Sequence, residues 1–370
     1  MENRYSFAGQ EDIISPQLVY YREIIEENIR LMIRLAGGSE RLWPHVKTHK
    51  MIEMVRLLME MGISRFKCAT IAECEMCGEA GAERAVLAYP LLGPNIERFL
   101  TLKKKFPGTY FYAVSDNTEQ VKRIGEAAVE AGEEVSLLVD VDMGQHRTGV
   151  PIPSVGETYH IWSKIAGVKP EGMHCYDGHR HESDVSVRER YVREADEALE
   201  AVKKRLTEEG YACEIMIMGG TPSFPCHQKL TGEYLSPGTC VIQDAGYAQA
   251  YPDLPFVPGA AVLTRVVSRP GRYEFTLDMG TKAVASDPAG ERAVIAGMEY
   301  AQTVLQNEEH WVVRVPQEHV QDIPPVGTVL FAVPTHVCPT SALYPEVPVV
   351  AGGKLDDWWE VTARNRKITI

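Results

Sequence analysis

The sequence predicts an α/β protein: a (β/α)8 barrel of the TIM type followed by a C-terminal, mostly antiparallel β domain. Two observations carry that prediction. Over about 230 residues, short runs rich in β-branched and aromatic residues alternate with charged, amphipathic stretches of helical spacing, the rhythm of a parallel sheet with crossover helices. Near Pro255 the helical periodicity fades, and short strands separated by Pro/Gly turns replace it. The expected division is therefore residues 1–255 for the barrel and 256–370 for the β domain, with the extreme N-terminus free to pack against the latter. A doubly wound sheet is the runner-up for the first part.

The elements follow in order. After the strand-like Leu18–Tyr21, residues 22–35 space their apolar side chains as a helix does. An extended stretch runs through Lys47 and leads to a helix over 51–61. Strands are predicted at 65–70, 84–89, 109–114, 134–140, 170–176 and 213–218, with amphipathic helices such as 117–131 and 186–208 between them. In the last third, strands are predicted at 261–267, 273–278, 311–315 and 329–333.

Composition narrows the function. The chain has 370 residues, 45% hydrophobic and 24% charged, with a formal net charge of −13. That charge argues against nucleic-acid binding, because a phosphate backbone would be repelled over most of the surface. An anionic cofactor then needs positive partners that are local and specific. The N-terminus has no apolar core of signal-peptide length, and no apolar stretch is long enough to span a bilayer, so a cytoplasmic protein without membrane contact is expected. Eight cysteines are scattered without the density of a disulfide scaffold, which suits a reducing compartment. Cys74 and Cys77 form a C-x-x-C inside a predicted helix, where the spacing puts two small apolar side chains on one face, and a structural role is expected.

In a barrel, chemistry belongs at the C-terminal ends of the strands, and the unusual residues fall there. Lys47 lies in Pro44-His45-Val46-Lys47-Thr48-His49-Lys50, between two histidines and beside apolar Val46. A lone lysine usually reads as a solvated surface group, but one in such surroundings can lose its proton easily enough to attack a carbonyl. Asp142 to Gly149 follows another strand, and its Gly-x-x-Arg-x-Gly turn can aim Arg147 at an anionic ligand. Tyr176 and His179 follow a third. Gly219-Gly220-Thr221 and Ser236-Pro237-Gly238-Thr239 are glycine loops whose N–H groups can approach a phosphate, although each alone is also an ordinary turn. His336 and Cys338, two apart in an extended stretch, would face one side as a two-ligand metal clamp, completed by substrate and water, or be an accidental pair.

Taken together these residues resemble the D-serine dehydratase/D-threonine aldolase family, relatives of alanine racemase among fold-type III pyridoxal phosphate enzymes. The resemblance extends over nearly the whole chain and is most specific at residues 44–50, where the family's Schiff-base lysine falls on Lys47. It implies that Arg147 contacts the cofactor, that Tyr176 and His179 lie near the ring and the substrate, and that Gly220, Thr221, Gly238 and Thr239 contact the phosphate. It also implies that His336 and Cys338 hold a divalent metal (zinc, manganese or magnesium), and that a homodimer shares its active sites across the interface.

The implied activity is lysis of a D-3-hydroxy amino acid. Loss of the hydroxyl proton breaks the Cα–Cβ bond and gives glycine and an aldehyde, whereas loss of the Cα proton to Lys47 expels hydroxide and gives a keto acid and ammonia. A histidine that stays near neutral at working pH suits the first, so His179 tilts the expectation toward a D-threonine aldolase-like retro-aldol cleavage. The His-x-Cys pair points to the alternative, a D-serine or 3-hydroxyaspartate dehydratase. Racemisation ranks below both, since a metal pair has no clear purpose in it. A non-catalytic pyridoxal phosphate carrier ranks below both as well, since such barrels lack a C-terminal β domain.

Overall fold

A computed structural model describes residues 4–227, 234–366 and 369. Contacts divide the chain into two compact units: residues 32–47, 52–238 and 365–370 form one, and residues 1–31, 48–51 and 239–364 the other. The chain enters through β1 (Gln17–Tyr21) and α1 (Arg22–Ala36).

The first of these units alternates strand and helix. Its order is α2 (Ile52–Glu60), β2 (Arg65–Cys68), α3 (Ile71–Ala80), β3 (Arg84–Leu87), α4 (Asn95–Lys105), β4 (Tyr110–Ser115), α5 (Thr118–Glu130), β5 (Val135–Asp142), the two-residue β6 (Val150–Pro151), α6 (Val155–Trp162), β7 (Val168–Cys175), α7 (Val185–Glu208), β8 (Ile215–Met218), α8 (Phe224–His227) and β9 (Tyr234–Leu235). Strands β2-β3-β4-β5-β7-β8-β9 pair in that order, all parallel, with β6 on β5. The two end strands are joined by the segment before Lys47: Leu42 bridges Leu235 and His45 bridges Lys67, both parallel. Backbone hydrogen bonds Trp43 N–Leu235 O (2.8 Å), His45 N–Pro237 O (2.8 Å) and Lys67 N–Pro44 O (3.0 Å) close the sheet. The predicted barrel is what forms.

Local chemistry accounts for the helices. Asn117 caps α5 by accepting the Gln120 N–H, and the buried Val121, Ile124, Gly125 and Ala128 follow helical spacing. Thr70 caps α3 by accepting the Glu73 N–H, while the Glu73 carboxylate accepts the N–H of Ala69, one residue before the cap. Cys74 and Cys77 are buried on α3, with Cys77 Sγ 3.6 Å from Cys68 Sγ, and burial pushes all three thiols up, away from the reactive thiolate. Inside the barrel, Trp43 packs edge-on against Tyr112 (5.7 Å between centroids) and Tyr234 (5.9 Å), with Val86, Val114, Leu138, Ile215 and Ile217 around them.

The second unit is built on a nine-stranded sheet. Besides β1 it contains α9 (Ala245–Ala250), β10 (Ala260–Gly271), β11 (Glu274–Leu277), β12 (Ala293–Ile295), β13 (Gln302–Gln306), β14 (Trp311–Arg314), β15 (Val329–Pro334), α10 (Val337–Ser341), β16 (Glu346–Ala351) and β17 (Lys354–Glu360). The main path runs β13-β14-β11-β10-β1-β16-β17, with β15 pairing β10 and β12; every pairing is antiparallel except β1 with β16. The N-terminal β1 thus lies between β10 and β16, and its Val19 and Tyr21 join a core with Tyr5, Phe7, Leu263 and Phe331. Among the described residues no helix is long and apolar enough to cross a membrane.

Candidate active site

A cavity of about 510 Å³ opens in the barrel unit, lined by His45, Lys47, Lys67, Asp140, Arg147, Thr148, His174 and Tyr176 together with apolar residues of the 69–92 stretch. Lys47 is brought there by the closing segment, but not at the end of a strand as the sequence reading had it. Pro44 has no N–H to give a ladder; the extended stretch ends at His45, and Lys47 sits in a single 3-10 turn, Val46–Thr48. Burial, then the charges of Lys47 and Lys67, hold the neighbouring His45 well below its ordinary pKa and therefore neutral.

Arg147 arrives on a loop folded by Asp142. The Asp142 carboxylate accepts the Gly144 and His146 N–H groups at 2.9 and 3.0 Å, and Gly149, at φ +105°, turns back so closely that a Cβ would stand 2.4 Å from Asp142 N. Tyr176 is the hub of the cavity. Its ring centroid lies 4.6 Å from Lys67 Nζ, 5.1 Å from Arg147 Cζ and 5.9 Å from Lys47 Nζ. Gly220 passes beside the same ring, where a Cβ would meet Tyr176 at 3.2 Å. The Gly238 N–H donates to Thr221 Oγ1 at 3.2 Å, joining the two glycine loops, and Thr239 begins the 3-10 turn Thr239–Val241 of the other unit.

His179 is not among the cavity-lining residues. It lies against the 142–149 loop, where a Cβ on Gly144 would come within 3.3 Å of Nε2. Neither ring nitrogen has a hydrogen-bond partner among the described residues, and burial, then Arg180, lower its pKa.

Several site residues escaped the sequence reading. Lys67 lies in the cavity wall, 2% exposed. Burial, then the charge of Lys47, bring its pKa down to about 7 against the pull of Asp140 and Asp177. His174 and Asp140 form a buried pair, Nδ1 to Oδ1 2.7 Å. Burial, then Lys67, lower the His174 pKa, so the neutral ring gives its Nδ1–H to Asp140 and leaves Nε2, which has no partner among the described residues, as an acceptor at the cavity. Behind the first glycine loop, His227 lies between two carboxylates, Asp196 (2.8 Å) and Asp177 (3.0 Å), and Ser223 Oγ ties Asp177 (2.7 Å) to the Gly220 N–H (3.0 Å). The available signal was alternation: Lys67 and His174 each sit between apolar residues on strands, where an inward polar residue needs a purpose.

Residues 22–245 match the alanine racemase N-terminal domain, and residues 259–350 match a putative serine dehydratase domain. The chain belongs to the alanine racemase N-terminal domain family. Within the family it is 29% identical to a D-threonine aldolase of Arthrobacter sp over 95% of this chain and 92% of that one. It is 24% identical to a D-threo-3-hydroxyaspartate dehydratase of Delftia sp., over 94% and 96% of the two chains. The crystal structure of a D-threonine aldolase from Filomicrobium marinum superposes with a TM-score of 0.87 over 97% of both chains at 24% identity, a likeness of fold. The chain is an enzyme of this family, whose fold-type III members bind pyridoxal phosphate.

The cavity fits such a group. Among the described residues neither Lys47 nor Arg147 has a carboxylate within ion-pair range, so in an acidic protein two basic side chains line a cavity whose Tyr176 packs against Gly220, with the bare Nε2 of His174 beside them. Of the metal pair, His336 is the residue just before α10, with no capping bond from its side chain, and Cys338 lies in the first turn, so the pair marks a helix start and not the extended stretch expected. Asp244 begins that helix by accepting the Val337 N–H at 3.0 Å. His336 and Cys338 are hydrogen-bonded to each other, His336 Nδ1 lies 2.5 Å from Asp287 Oδ2, and Cys338 Sγ lies 3.4 Å from Thr48 Oγ1. No three-ligand cluster occurs among the described residues, so the pair suits an open site only.

His227 gives this site a pH signature. Burial alone would lower its pKa, but the bonds to Asp177 and Asp196 raise it to about 10. The raised value stabilises the fold fully below the unfolded pKa of about 6.5, and that contribution is lost as pH rises through 10. His227→Gln, which leaves two buried carboxylates without their cation, should cost about 3–5 kcal/mol in urea unfolding at pH 7 and flatten the alkaline loss of stability. Equal unfolding curves at pH 7 would refute the clamp.

Proposed function

We propose that the protein is a lyase dependent on pyridoxal phosphate and a divalent metal, which cleaves D-3-hydroxy amino acids to glycine and an aldehyde. The observation that carries this is Lys47 sharing one cavity with Arg147, Lys67 and Tyr176 beside the Gly219–Gly220 loop. When bound to Lys47, the cofactor supplies an electron sink for the pair released at Cα. Arg147 and Lys67 offset negative charge in the low-dielectric cavity. The 219–221 and 238–239 loops would hold the phosphate, through the Thr221 and Thr239 hydroxyls and through the Gly220 and Gly238 N–H groups once these leave Ser223 Oγ and Thr221 Oγ1. Tyr176 supports the ring.

In the retro-aldol reading His179, outside the cavity lining but packed against the loop that carries Arg147 and with its pKa lowered by burial, is the base that takes the proton of the β-hydroxyl. The Cα–Cβ bond then breaks, its electron pair stays on Cα, and Cα is reprotonated to give glycine. His336 and Cys338 would hold the divalent cation, which supplies Lewis acidity toward an oxygen ligand. The match of residues 259–350 to a serine dehydratase domain favours a second reading, in which Lys47 takes the Cα proton, hydroxide leaves, and the products are a keto acid and ammonia.

The purified protein should absorb visible light as a lysine-bound pyridoxal enzyme does, and Lys47→Ala should lose both that band and turnover. With D-threonine, D-serine and D-3-hydroxyaspartate as substrates, glycine plus an aldehyde is the expected product; ammonia plus a keto acid would replace the first reading by the second. Chelation should abolish turnover and added manganese or zinc restore it, with His336→Ala at least about 10-fold impaired; full activity in that variant would remove the metal from the proposal.

A homodimer belongs to the same proposal. The end strands β13 and β17, at opposite edges of the sheet, expose Val304 and Leu305 on one and Trp358 on the other, apolar side chains that suit a covering partner. Light scattering should return twice the chain mass, and a monomer at micromolar concentration would contradict it.

A further inference from the structure

The cavity contains a second lysine whose place in the wall suggests more than bulk charge. Lys67 is the third residue of β2, bridged to His45 of the closing segment. Strand alternation turns Cys68 outward to meet Cys77 of α3, and Lys67 inward. Its Nζ donates to Ser236 Oγ at 3.0 Å, and Ser236 Oγ in turn lies 2.8 Å from Gly219 O. A hydroxyl that accepts from an ammonium and donates to a carbonyl is committed in both directions, so the ammonium is held in place. The nearby carboxylates are already engaged, Asp140 by His174 and Asp177 by His227 and Ser223, and among the described residues none comes within ion-pair range of Lys67. The charge therefore acts on whatever the cavity holds.

We propose that Lys67 is a positioning residue for Lys47: a tethered ammonium that keeps a positive charge beside the imine nitrogen and so lowers that nitrogen's affinity for a proton. The inference rests on Lys47 being the cofactor lysine. The charged and titratable groups facing Lys67 are Lys47, His45, Arg147 and His174 on one hand, and Asp140 and Asp177 on the other. Burial and the charge of Lys47 bring the Lys67 pKa down to about 7, and an anionic phosphate in the site favours its charged form. Lys47 and Lys67 lie 5.9 and 4.6 Å from one ring centre, so their nitrogens are no more than about 11 Å apart. At that range, with an effective dielectric of about 20, a unit charge moves a neighbouring proton equilibrium by about one pH unit or more. A cation moves it downward, because it disfavours the protonated imine. That equilibrium decides the pH range over which the loaded site presents an electrophilic carbon to an incoming amine.

The test is a pH titration of the visible band in the cofactor-loaded wild type, K67Q and K67R, with borohydride reduction and peptide mapping of each. Glutamine keeps a donor for Ser236 and loses the charge; arginine keeps the charge. Expected are a label on Lys47, a midpoint about one unit or more higher in K67Q, and a value near wild type in K67R. Should K67Q not fold, S236A, which loosens the ammonium, must raise the midpoint by a smaller amount. A label on Lys47 with an unmoved midpoint, or a wild-type band that does not titrate while the protein is folded, overturns the inference alone. A label on Lys67 overturns the assignment of Lys47 and the inference with it.

Discussion

The barrel unit depends on a four-residue closure. Without Leu42–His45, the sheet would end on the two-residue β9 at one side and the four-residue β2 at the other, both with unpaired backbone groups. Leu42 and Trp43 pair with Leu235, and Pro44 and His45 pair with Lys67 and Pro237, so one short segment satisfies both edges. Trp43 fixes its depth by filling the barrel between Tyr112 and Tyr234. The ladder ends at His45, and the chain turns at once into the 3-10 turn that presents Lys47. The same residues that close the fold thus deliver Lys47 to the cavity, so that changes to the closure reach the cavity directly.

Around that lysine the protein concentrates positive charge against its own net charge of −13. Lys47, Lys67 and Arg147 surround one tyrosine ring, and no carboxylate forms an ion pair with any of them among the described residues. The carboxylates that are close have other tasks. Asp140 orients His174, Asp142 folds the arginine loop, and Asp177 with Asp196 holds the His227 cation behind Gly219. In this arrangement acidic residues build the walls and leave the cations to the ligand. It also offsets the buried cost: Asp140, Asp177 and Asp196 each accept a hydrogen bond from a buried histidine, and burying a carboxylate is tolerable when it is so paired.

The β unit shows a comparable economy. β1 sits between β10 and β16, so the first strand of the chain completes a sheet made mostly of the last third. Asp244 caps α9 by accepting the Tyr247 N–H and starts α10 by accepting the Val337 N–H. One buried carboxylate therefore sets two helix starts, and the second fixes where His336 and Cys338 stand.

Periodicity and local chemistry were enough to determine the elements. The six predicted barrel strands and the four in the last third all appear within a few residues of their expected places, because apolar alternation and helical spacing are written locally. The residues 44–50 and the glycine loops were legible for the same reason, being contiguous and chemically unusual. What tertiary structure decided was which isolated residues meet. Lys67, His174 and His227 are unremarkable in sequence, and only barrel closure brings Lys67 to Ser236, 169 residues away. The helix start at His336 was likewise decided by a partner distant in sequence, Asp244, whose hydrogen bond to the Val337 N–H outweighs the extended preference of the local chain.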